Sequence, residues 1–233
     1  PISFAANLSG KLKNDIFLKR EDMQPIFSFK IRGAYNKIIN LTTQQKQRGV
    51  IAASAGNHAQ GVANACKKLK IPCYIVMPVT APEIKVKSVK RFGSKVLLHG
   101  DSFDQAVKKA KQMAKEQKLE FIEAFDDPLT IAGQGTVGKE ILDEQNNLDV
   151  IFVPVGGGGL LAGISAWVAQ TKKDIKIYGV EVEDSACLVE AIKADKRVRL
   201  REVGLFADGV AVELIGKNNF DVIRECVDGV ITV

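Results

Sequence analysis

The sequence predicts an α/β fold, with mostly parallel sheets and helices on both faces. Short apolar runs alternate along the chain with longer segments of helical periodicity, and this order is typical of strand–helix units. The apolar runs at residues 73–77 and 150–155 show no regular polar alternation, so we expect strands that are buried on both faces. A run of glycines follows the second of them, at the sheet edge where such folds bind ligands.

The predicted elements alternate through most of the chain. Strands are predicted over residues 50–54, 73–77, 95–98, 121–122, 150–155 and 175–182. Helices are predicted over residues 58–69, 84–92, 102–117, 131–144 and 160–170, the third of them after a Ser/Asp cap. A further helical pattern follows Lys30.

Length and composition indicate a globular protein of one large unit or two interleaved lobes. The chain has 233 residues, of which 46% are hydrophobic, and a net charge of +6, which exclude a disordered chain. No apolar run reaches the roughly 20 residues that a membrane span requires. Basic residues share helical faces with acidic ones and lack aromatic neighbours, so we expect neither a membrane nor a nucleic acid as partner.

The cysteines and histidines are too scattered for a metal cluster or a disulfide framework. They are Cys66, Cys73, Cys187, Cys226, His58 and His99. No C-x-x-C pair is present, so we expect free thiols, a cytoplasmic location and no bound metal. The chain opens without a secretory leader and ends inside a strand-like run, so we expect a piece of a longer protein.

The glycine run is the first candidate site. It consists of Gly156, Gly157, Gly158 and Gly159. Backbone N–H groups without neighbouring Cβ atoms, followed by a helix start at Leu160, suit a phosphate group. The dinucleotide pattern fails because Leu161 stands where its third glycine belongs, so a phosphate is favoured over the pyrophosphate of NAD. The alternative is a flexible strand–helix turn.

Residues 133–139 form a second glycine-rich segment, which nearly reproduces a nucleotide-binding loop. Glu140 stands where a Ser or Thr should hold Mg²⁺, and no strand immediately precedes the segment. We therefore expect a glycine-bearing helix that packs tightly against a neighbour.

A third candidate site combines residues 28–33 with residues 54–58. Lys30 stands between Phe29 and Ile31, where desolvation would lower its pKa and leave a neutral amine for a Schiff base. Because most lysines are solvated, this pattern alone is weak.

The segment Ser54-Ala55-Gly56-Asn57-His58 ends one predicted strand and opens a helix. Its N–H groups and the Ser54 hydroxyl would suit a carboxylate, and Asn57 could donate to a phenolic oxygen. For His58, a structural hydrogen bond is favoured over catalysis.

Together these segments resemble the pyridoxal-phosphate enzymes of the tryptophan-synthase-β fold, also called the type II fold. Within that group the chain is most similar to the biosynthetic threonine deaminases (L-threonine ammonia-lyases). The resemblance extends over nearly the whole chain, through residues 19–22, 28–33, 54–61, 99–101, 131–135, 156–159 and 204–212.

The resemblance implies pyridoxal 5'-phosphate as cofactor and assigns its ligands. Lys30 matches the lysine that carries the cofactor and serves as general base, and Phe29 packs against the ring. Asn57 hydrogen-bonds the ring hydroxyl oxygen, residues 156–159 with Leu160 hold the phosphate, and a loop containing Gly209 flanks the ring. Ser54, Ala55, Gly56, Asn57 and His58 fall where such enzymes hold the substrate carboxylate.

The implied reaction is deamination of L-threonine to 2-oxobutanoate and ammonia, a first step toward isoleucine, with L-serine as secondary substrate. Serine dehydratases or racemases are the alternative, as is a truncated fragment without activity. Racemases place a second serine where this chain has Ala55, and a second metal-binding carboxylate where it has Cys187, so we expect neither racemisation nor their metal site.

The same resemblance implies a two-lobed organisation. Residues 1–34 with 125–233 form an incomplete large cofactor-binding lobe, residues 35–124 form a small α/β lobe, and a C-terminal regulatory domain is absent. We expect a homo-oligomer, a tetramer by resemblance, on which isoleucine acts only through that regulatory domain.

Overall fold

The computed structural model describes residues 1–145, 147–172, 174–204 and 206–233. The strands are β1 (Ile2–Phe4), β2 (Phe17–Lys19), β3 (Val50–Ala53), β4 (Cys73–Met77), β5 (Lys95–Leu98), β6 (Glu120–Phe121), β7 (Val150–Pro154), β8 (Lys176–Glu181) and β9 (Gly229–Thr232). The α-helices are α1 (Ala6–Leu12), α2 (Lys30–Ile39), α3 (Thr43–Arg48), α4 (Asn57–Leu69), α5 (Glu83–Lys90), α6 (Phe103–Gln117), α7 (Pro128–Glu144), α8 (Gly159–Thr171), α9 (Cys187–Lys193) and α10 (Lys217–Cys226). The mixed α/β fold is thereby confirmed.

The first sheet is parallel, with strand order β5-β4-β3-β6. Every residue of β3 is buried, and its side chains alternate between two hydrophobic clusters. Val50 and Ala52 pack with residues of α2, α4 and α5. Ile51 and Ala53 pack on the opposite face, against α6. Helices thus cover both faces of this sheet, as the uninterrupted apolar runs predict.

The second sheet, β7-β8-β9, is also parallel, but only one of its faces is covered by the described residues. Ile151 and Val153 are buried against α7, α8 and α10. Phe152 points the other way, is 61% exposed and stacks on Tyr178 with ring centroids 5.9 Å apart. The expectation of burial on both faces is therefore wrong for β7, because no described helix lies over its second face.

Local sequence chemistry sets where the helices begin. The Ser102 hydroxyl accepts a hydrogen bond from Gln105 N and caps α6. Asp127 accepts from Leu129 N and caps α7, whose first residue is Pro128.

Close helix crossings depend on glycine. A Cβ added to Gly133 of α7 would lie 2.6 Å from Gly33 Cα of α2, and one at Gly135 would lie 2.8 Å from Gly163 O of α8. Residues 133–139 therefore form a helix that packs tightly, and this prediction is confirmed.

An ion cluster joins the N-terminal segment to α2 and α7. Arg32 forms paired hydrogen bonds with both Glu21 and Glu140 at 2.6–2.8 Å. Lys19 adds ion pairs of 2.8 Å to Glu140 and 2.9 Å to Glu144. This cluster fixes α2 along the side where Arg32 lies.

Some elements lie outside the sequence predictions. The pair β1-β2 is antiparallel, and α1, α3, α9 and α10 have no predicted counterpart. The proposed lobe boundary at residues 34 and 35 falls inside α2, and the division into lobes stays a prediction. Among the described residues, no helix is long and apolar enough to cross a membrane.

Candidate active site

Lys30 is the first residue of α2, and its amine is enclosed by aromatic and main-chain groups. Its Nζ donates to Ala124 O at 3.0 Å and lies 5.3 Å from the Phe29 ring centroid and 5.9 Å from that of Phe125. No described carboxylate forms an ion pair with it. Desolvation therefore lowers the pKa of Lys30 to about 8, which leaves a sizeable neutral fraction near neutral pH.

His58 lies beside this enclosure and forms a hydrogen bond with the main chain two residues before Ala124. Its Nε2–H donates to Ile122 O at 2.9 Å, and the ring is buried. Burial, with a contribution from the neighbouring Lys30 charge, lowers the pKa of His58 to about 4, so the ring stays neutral at physiological pH. The geometry gives His58 the structural hydrogen bond that its sequence position favoured.

The loop after β3 brings the predicted carboxylate site beside α2. Ser54 Oγ accepts from Gly56 N at 3.1 Å, and Ala55 and Gly56 lead to Asn57, the exposed first residue of α4. A Cβ at Gly61 of α4 would lie 2.9 Å from Lys30 O, so α4 crosses α2 next to Lys30. The free N–H groups at the start of α4 are therefore on the lysine-bearing side of the fold.

The glycine run forms a tight turn between β7 and α8. Gly158 has φ +89°, a left-handed conformation that favours glycine, and stands immediately before α8. A Cβ at Gly157 would lie 2.4 Å from the Phe125 ring, and one at Gly159 would lie 2.9 Å from Phe125 O. Leu160 follows in the first turn of α8 and packs against the core. Glycine therefore lets this turn, the glycine cradle, pack directly against Phe125, and the helix start supplies N–H groups for an anion.

Phe125 connects the two halves of the candidate site. Its ring lies near the Lys30 amine and directly against Gly157. The amine and the glycine cradle therefore converge from distant parts of the chain. A lysine of lowered pKa beside a phosphate cradle fits an aldehyde cofactor that carries a phosphate. Sequence reasoning missed Phe125, which follows a short strand and belongs to none of the quoted motifs.

The start of α10 braces the cradle from behind. Gly157 O accepts from Gly216 N at 3.1 Å and from the buried Asn219 Nδ2 at 2.6 Å. Asp126 accepts from Lys217 N and Asn218 N, both at 2.8 Å. These supports were also missed by sequence reasoning.

The loop containing Gly209 reaches one side of the cradle. A Cβ at Gly156 would lie 3.1 Å from Val210 Cα, while Gly209 has open space around it. Asp208 accepts from Lys85 Nζ of α5 at 2.7 Å. Leu205, which belongs to the same block, lies outside the described residues.

Glu181 and Cys187 take structural roles. The buried Glu181 carboxylate accepts from Leu188 N and Val189 N at 2.9 Å each, at the start of α9. Cys187 Sγ makes a long contact of 3.7 Å with Gly156 O. In the described part of the chain, no group of three or more His, Cys, Asp or Glu side chains could hold a metal ion.

Comparison with known proteins gives a family match over the whole chain. Residues 1–233 match the family described as pyridoxal-phosphate dependent enzymes. The biosynthetic L-threonine dehydratase of Pasteurella multocida is 52% identical over 233 residues, which are 100% of this chain and 45% of that protein. The chain thus spans less than half the length of that relative.

Two solved structures share the fold closely. The processed form of threonine deaminase isoform 2 from Solanum lycopersicum has a TM-score of 0.99 and 44% identity, with 100% of this chain and 64% of that chain covered. Maize serine racemase has a TM-score of 0.96 and 33% identity, with 100% and 70% covered. Both are matched along the entire length of this chain.

Proposed function

Because the chain belongs to the family of pyridoxal-phosphate dependent enzymes, we propose that it deaminates L-threonine to 2-oxobutanoate and ammonia, with L-serine as secondary substrate. The observation that carries this proposal is the convergence of the Lys30 amine and the Gly157 cradle on one ring, that of Phe125. The choice of threonine rests on relatives named threonine dehydratase and threonine deaminase.

Lys30 is the group that would hold the cofactor and act as base. When bound, pyridoxal phosphate supplies an electron sink for negative charge at the substrate α-carbon. A neutral Lys30 amine can take the α-proton, and its pKa of about 8 keeps that neutral form accessible near pH 7 to 8. The rings of Phe29 and Phe125 lie beside the amine and take part in its desolvation, which lowers the pKa.

The substrate carboxylate is assigned to the loop after β3. The Ser54 hydroxyl and the N–H groups at the start of α4 provide donors for a carboxylate, and the helix dipole favours an anion there. Asn57 is assigned to the cofactor ring oxygen, since its exposed amide stands at the same helix start. The His58 ring would help to keep this helix start in place through Ile122.

The phosphate is assigned to residues 156–159 and Leu160. The glycines carry no side chains that could shield the N–H groups of the turn, and the α8 dipole would stabilise the charge of the anion. Gly209 lies beside Val210, which contacts Gly156, so the loop is assigned to the open side of the cofactor.

Racemisation is the rival function, since maize serine racemase is also similar in structure. A racemase must return a proton to the opposite face of the α-carbon. The methyl group of Ala55 cannot exchange a proton, so elimination is favoured here.

We further propose that the protein is a homo-oligomer, a tetramer by resemblance. We also propose a cytoplasmic location, which is in keeping with the four free cysteines. By the same resemblance, we propose that isoleucine would act through a regulatory domain rather than at this site.

The decisive experiment incubates the purified chain with pyridoxal phosphate and L-threonine, and measures 2-oxobutanoate. L-Serine is tested in parallel for pyruvate and for D-serine. We expect 2-oxobutanoate as the major product, a smaller yield of pyruvate and no D-serine. Robust D-serine formation would favour the racemase, whereas protein that stays colourless with cofactor would favour a fragment without activity.

A further inference from the structure

We propose that Asn219 is a positioning residue that orients the Gly157–Gly158 peptide for phosphate binding. The inference rests on the proposed function, since it concerns the same cradle. Asn219 lies far from Lys30 in sequence and belongs to none of the motifs that indicated the site. Its role follows from where its side-chain amide is placed.

The Asn219 side chain is directed at the glycine cradle from α10. The residue is 0% exposed, and its Nδ2 donates to Gly157 O at 2.6 Å. Gly216 N donates to the same oxygen at 3.1 Å. A Cβ added to Gly158 would lie 3.1 Å from Asn219 Cβ, so the two segments are in direct contact. Two donors therefore hold one carbonyl of the cradle.

Holding that carbonyl fixes the direction of the next N–H group. The peptide bond between Gly157 and Gly158 is trans, since the described chain contains no cis peptide. In a planar trans peptide the C=O and N–H bonds point in opposite directions. With Gly157 O bound to α10, the Gly158 N–H points away from α10. Gly158 itself is free to rotate as a glycine, so the restraint must come from outside the turn.

The nitrogen and the oxygen of the Asn219 side-chain amide differ in their hydrogen bonding, which indicates which atom serves the cradle. Asn219 Nδ2 has its partner in Gly157 O, whereas Oδ1 is buried without a hydrogen-bond partner among the described residues. An unpaired buried oxygen is unfavourable, so the amide contributes to this site through its donor and not through its oxygen. The reversed amide would place Oδ1 against Gly157 O, with two acceptors in contact. The donation to the cradle is therefore what the side chain contributes.

Stability of α10 has a separate source. Asp126 accepts from Lys217 N and Asn218 N and thereby caps the helix without Asn219. Replacing Asn219 thus removes one donor to the cradle while the cap persists. This separation makes a specific test possible.

The test compares the binding of pyridoxal phosphate with that of pyridoxal, which lacks the phosphate but has the same aldehyde. Dissociation constants are measured by absorbance for the wild-type chain, Asn219→Leu and Asn219→Ala, with Asp221→Ala, an exposed position on the same helix, as the control. We expect both Asn219 variants to bind pyridoxal phosphate about tenfold more weakly, since one buried donor is lost. Binding of pyridoxal should change less than twofold, and the control should match the wild type.

The outcomes separate the inference from the proposed function. Equal weakening of both ligands would show general damage to the fold and would overturn the positioning role, as would unchanged binding of pyridoxal phosphate. A wild-type chain that binds pyridoxal as tightly as pyridoxal phosphate would overturn the phosphate cradle itself. Thermal unfolding of each variant establishes that the protein is folded, and the Ala variant serves if Leu does not fit.

Discussion

Helix α2 carries two cationic side chains that are two residues apart and have opposite environments. Successive residues on an α-helix are about 100° apart, so Lys30 and Arg32 face nearly opposite sides. The Lys30 amine meets a carbonyl and two aromatic rings. Arg32 lies between the carboxylates of Glu21 and Glu140. Both are withdrawn from water, yet only Arg32 has counterions.

The difference shows that the presence or absence of a counterion determines the pKa of a desolvated cation, and with it the chemistry that the cation can perform. For Lys30, desolvation acts alone and lowers the pKa to about 8, which makes the neutral amine more accessible than in an ordinary lysine. For Arg32, desolvation by itself would lower the pKa. The carboxylates of Glu21 and Glu140 outweigh that effect and raise the pKa above its ordinary value. In return the Arg32 guanidinium, together with the Lys19 amine, lowers the pKa of Glu140 to about 2. One helix therefore carries a cation of lowered pKa and, on its opposite side, a cation that two carboxylates keep charged.

Removing the Lys30 amine breaks the reactive side of the comparison and should have the largest effect. Lys30→Ala should lower turnover of L-threonine on the order of 10⁴-fold, because no other described amine lies in the enclosure. Borohydride should no longer fix the cofactor to the chain, which mass spectrometry would detect. Lys87→Ala, on the exposed face of α5, is the matched control. Cofactor that is still fixed at another residue would contradict the assignment.

Removing the Arg32 guanidinium tests the structural role of its ion pairs with Glu21 and Glu140. Arg32→Gln should lower the free energy of unfolding by about 2–3 kcal/mol, because Glu21 is left part-buried without its counterion. Urea unfolding at pH 7 measures this loss, with Arg48→Gln as a control, because the Arg48 guanidinium donates to the carbonyl of Lys118 and forms no ion pair within the described part of the chain.

The loss of unfolding free energy in Arg32→Gln should depend on pH in a definite direction. The folded-state pKa of Glu140 is about 2, below its ordinary 4.5, so its stabilisation is complete above pH 4.5 and is lost as pH falls through 2. Stability of Arg32→Gln should therefore fall less steeply than that of the wild type between pH 4.5 and 2. Parallel pH profiles would contradict the counterion role of Arg32.

Much of the fold was predictable because buried strands have a strong local pattern. The predicted strands at residues 73–77 and 95–98 agree with β4 and β5, and neighbouring elements agree within a few residues. The open face at Phe152 was not predictable, since an apolar run does not state what covers each of its sides. The short antiparallel pair β1-β2 is too brief to give a clear periodicity.

The candidate site divides in a similar way. The glycine run stands out by its local composition, whereas Lys30 is singled out by the ordered set of motifs, because its own flanking residues are a weak signal. Phe125 and Asn219 could not be predicted, because their importance arises from contacts between distant segments. Lys30 meets Ala124, beside Phe125, across 94 residues, and Asn219 meets Gly157 across 62 residues. Such pairings depend on how α2, α8 and α10 are arranged in space.

A smaller effect, on stability, is expected when the charge of Lys30 is removed. A charged amine without a counterion is unfavourable in the fold, so Lys30→Met should raise the free energy of unfolding at pH 7 by about 1–2 kcal/mol. Because the folded pKa of about 8 lies below the ordinary 10.5, the wild type gains stability as pH rises from 8 to 10.5. The advantage of Lys30→Met should therefore shrink over that interval in urea unfolding. A constant advantage would mean that the charge of Lys30 has no part in it.

The smallest effect concerns an ion pair of similar length but different exposure. Lys85 and Asp208 are 2.7 Å apart, as are Arg32 and Glu21, yet their side chains are 38% and 73% exposed, against 12% and 13%. Water and salt screen the exposed pair, so a double-mutant cycle of Lys85→Met and Asp208→Asn should give a coupling of at most about 0.5 kcal/mol. The corresponding cycle of Arg32→Gln and Glu21→Gln should give a coupling several times larger. Raising the salt concentration to about 1 M should abolish the first coupling and leave most of the second. Equal couplings would show that distance alone, rather than burial, sets the strength of these pairs, and the contrast drawn along α2 would fail.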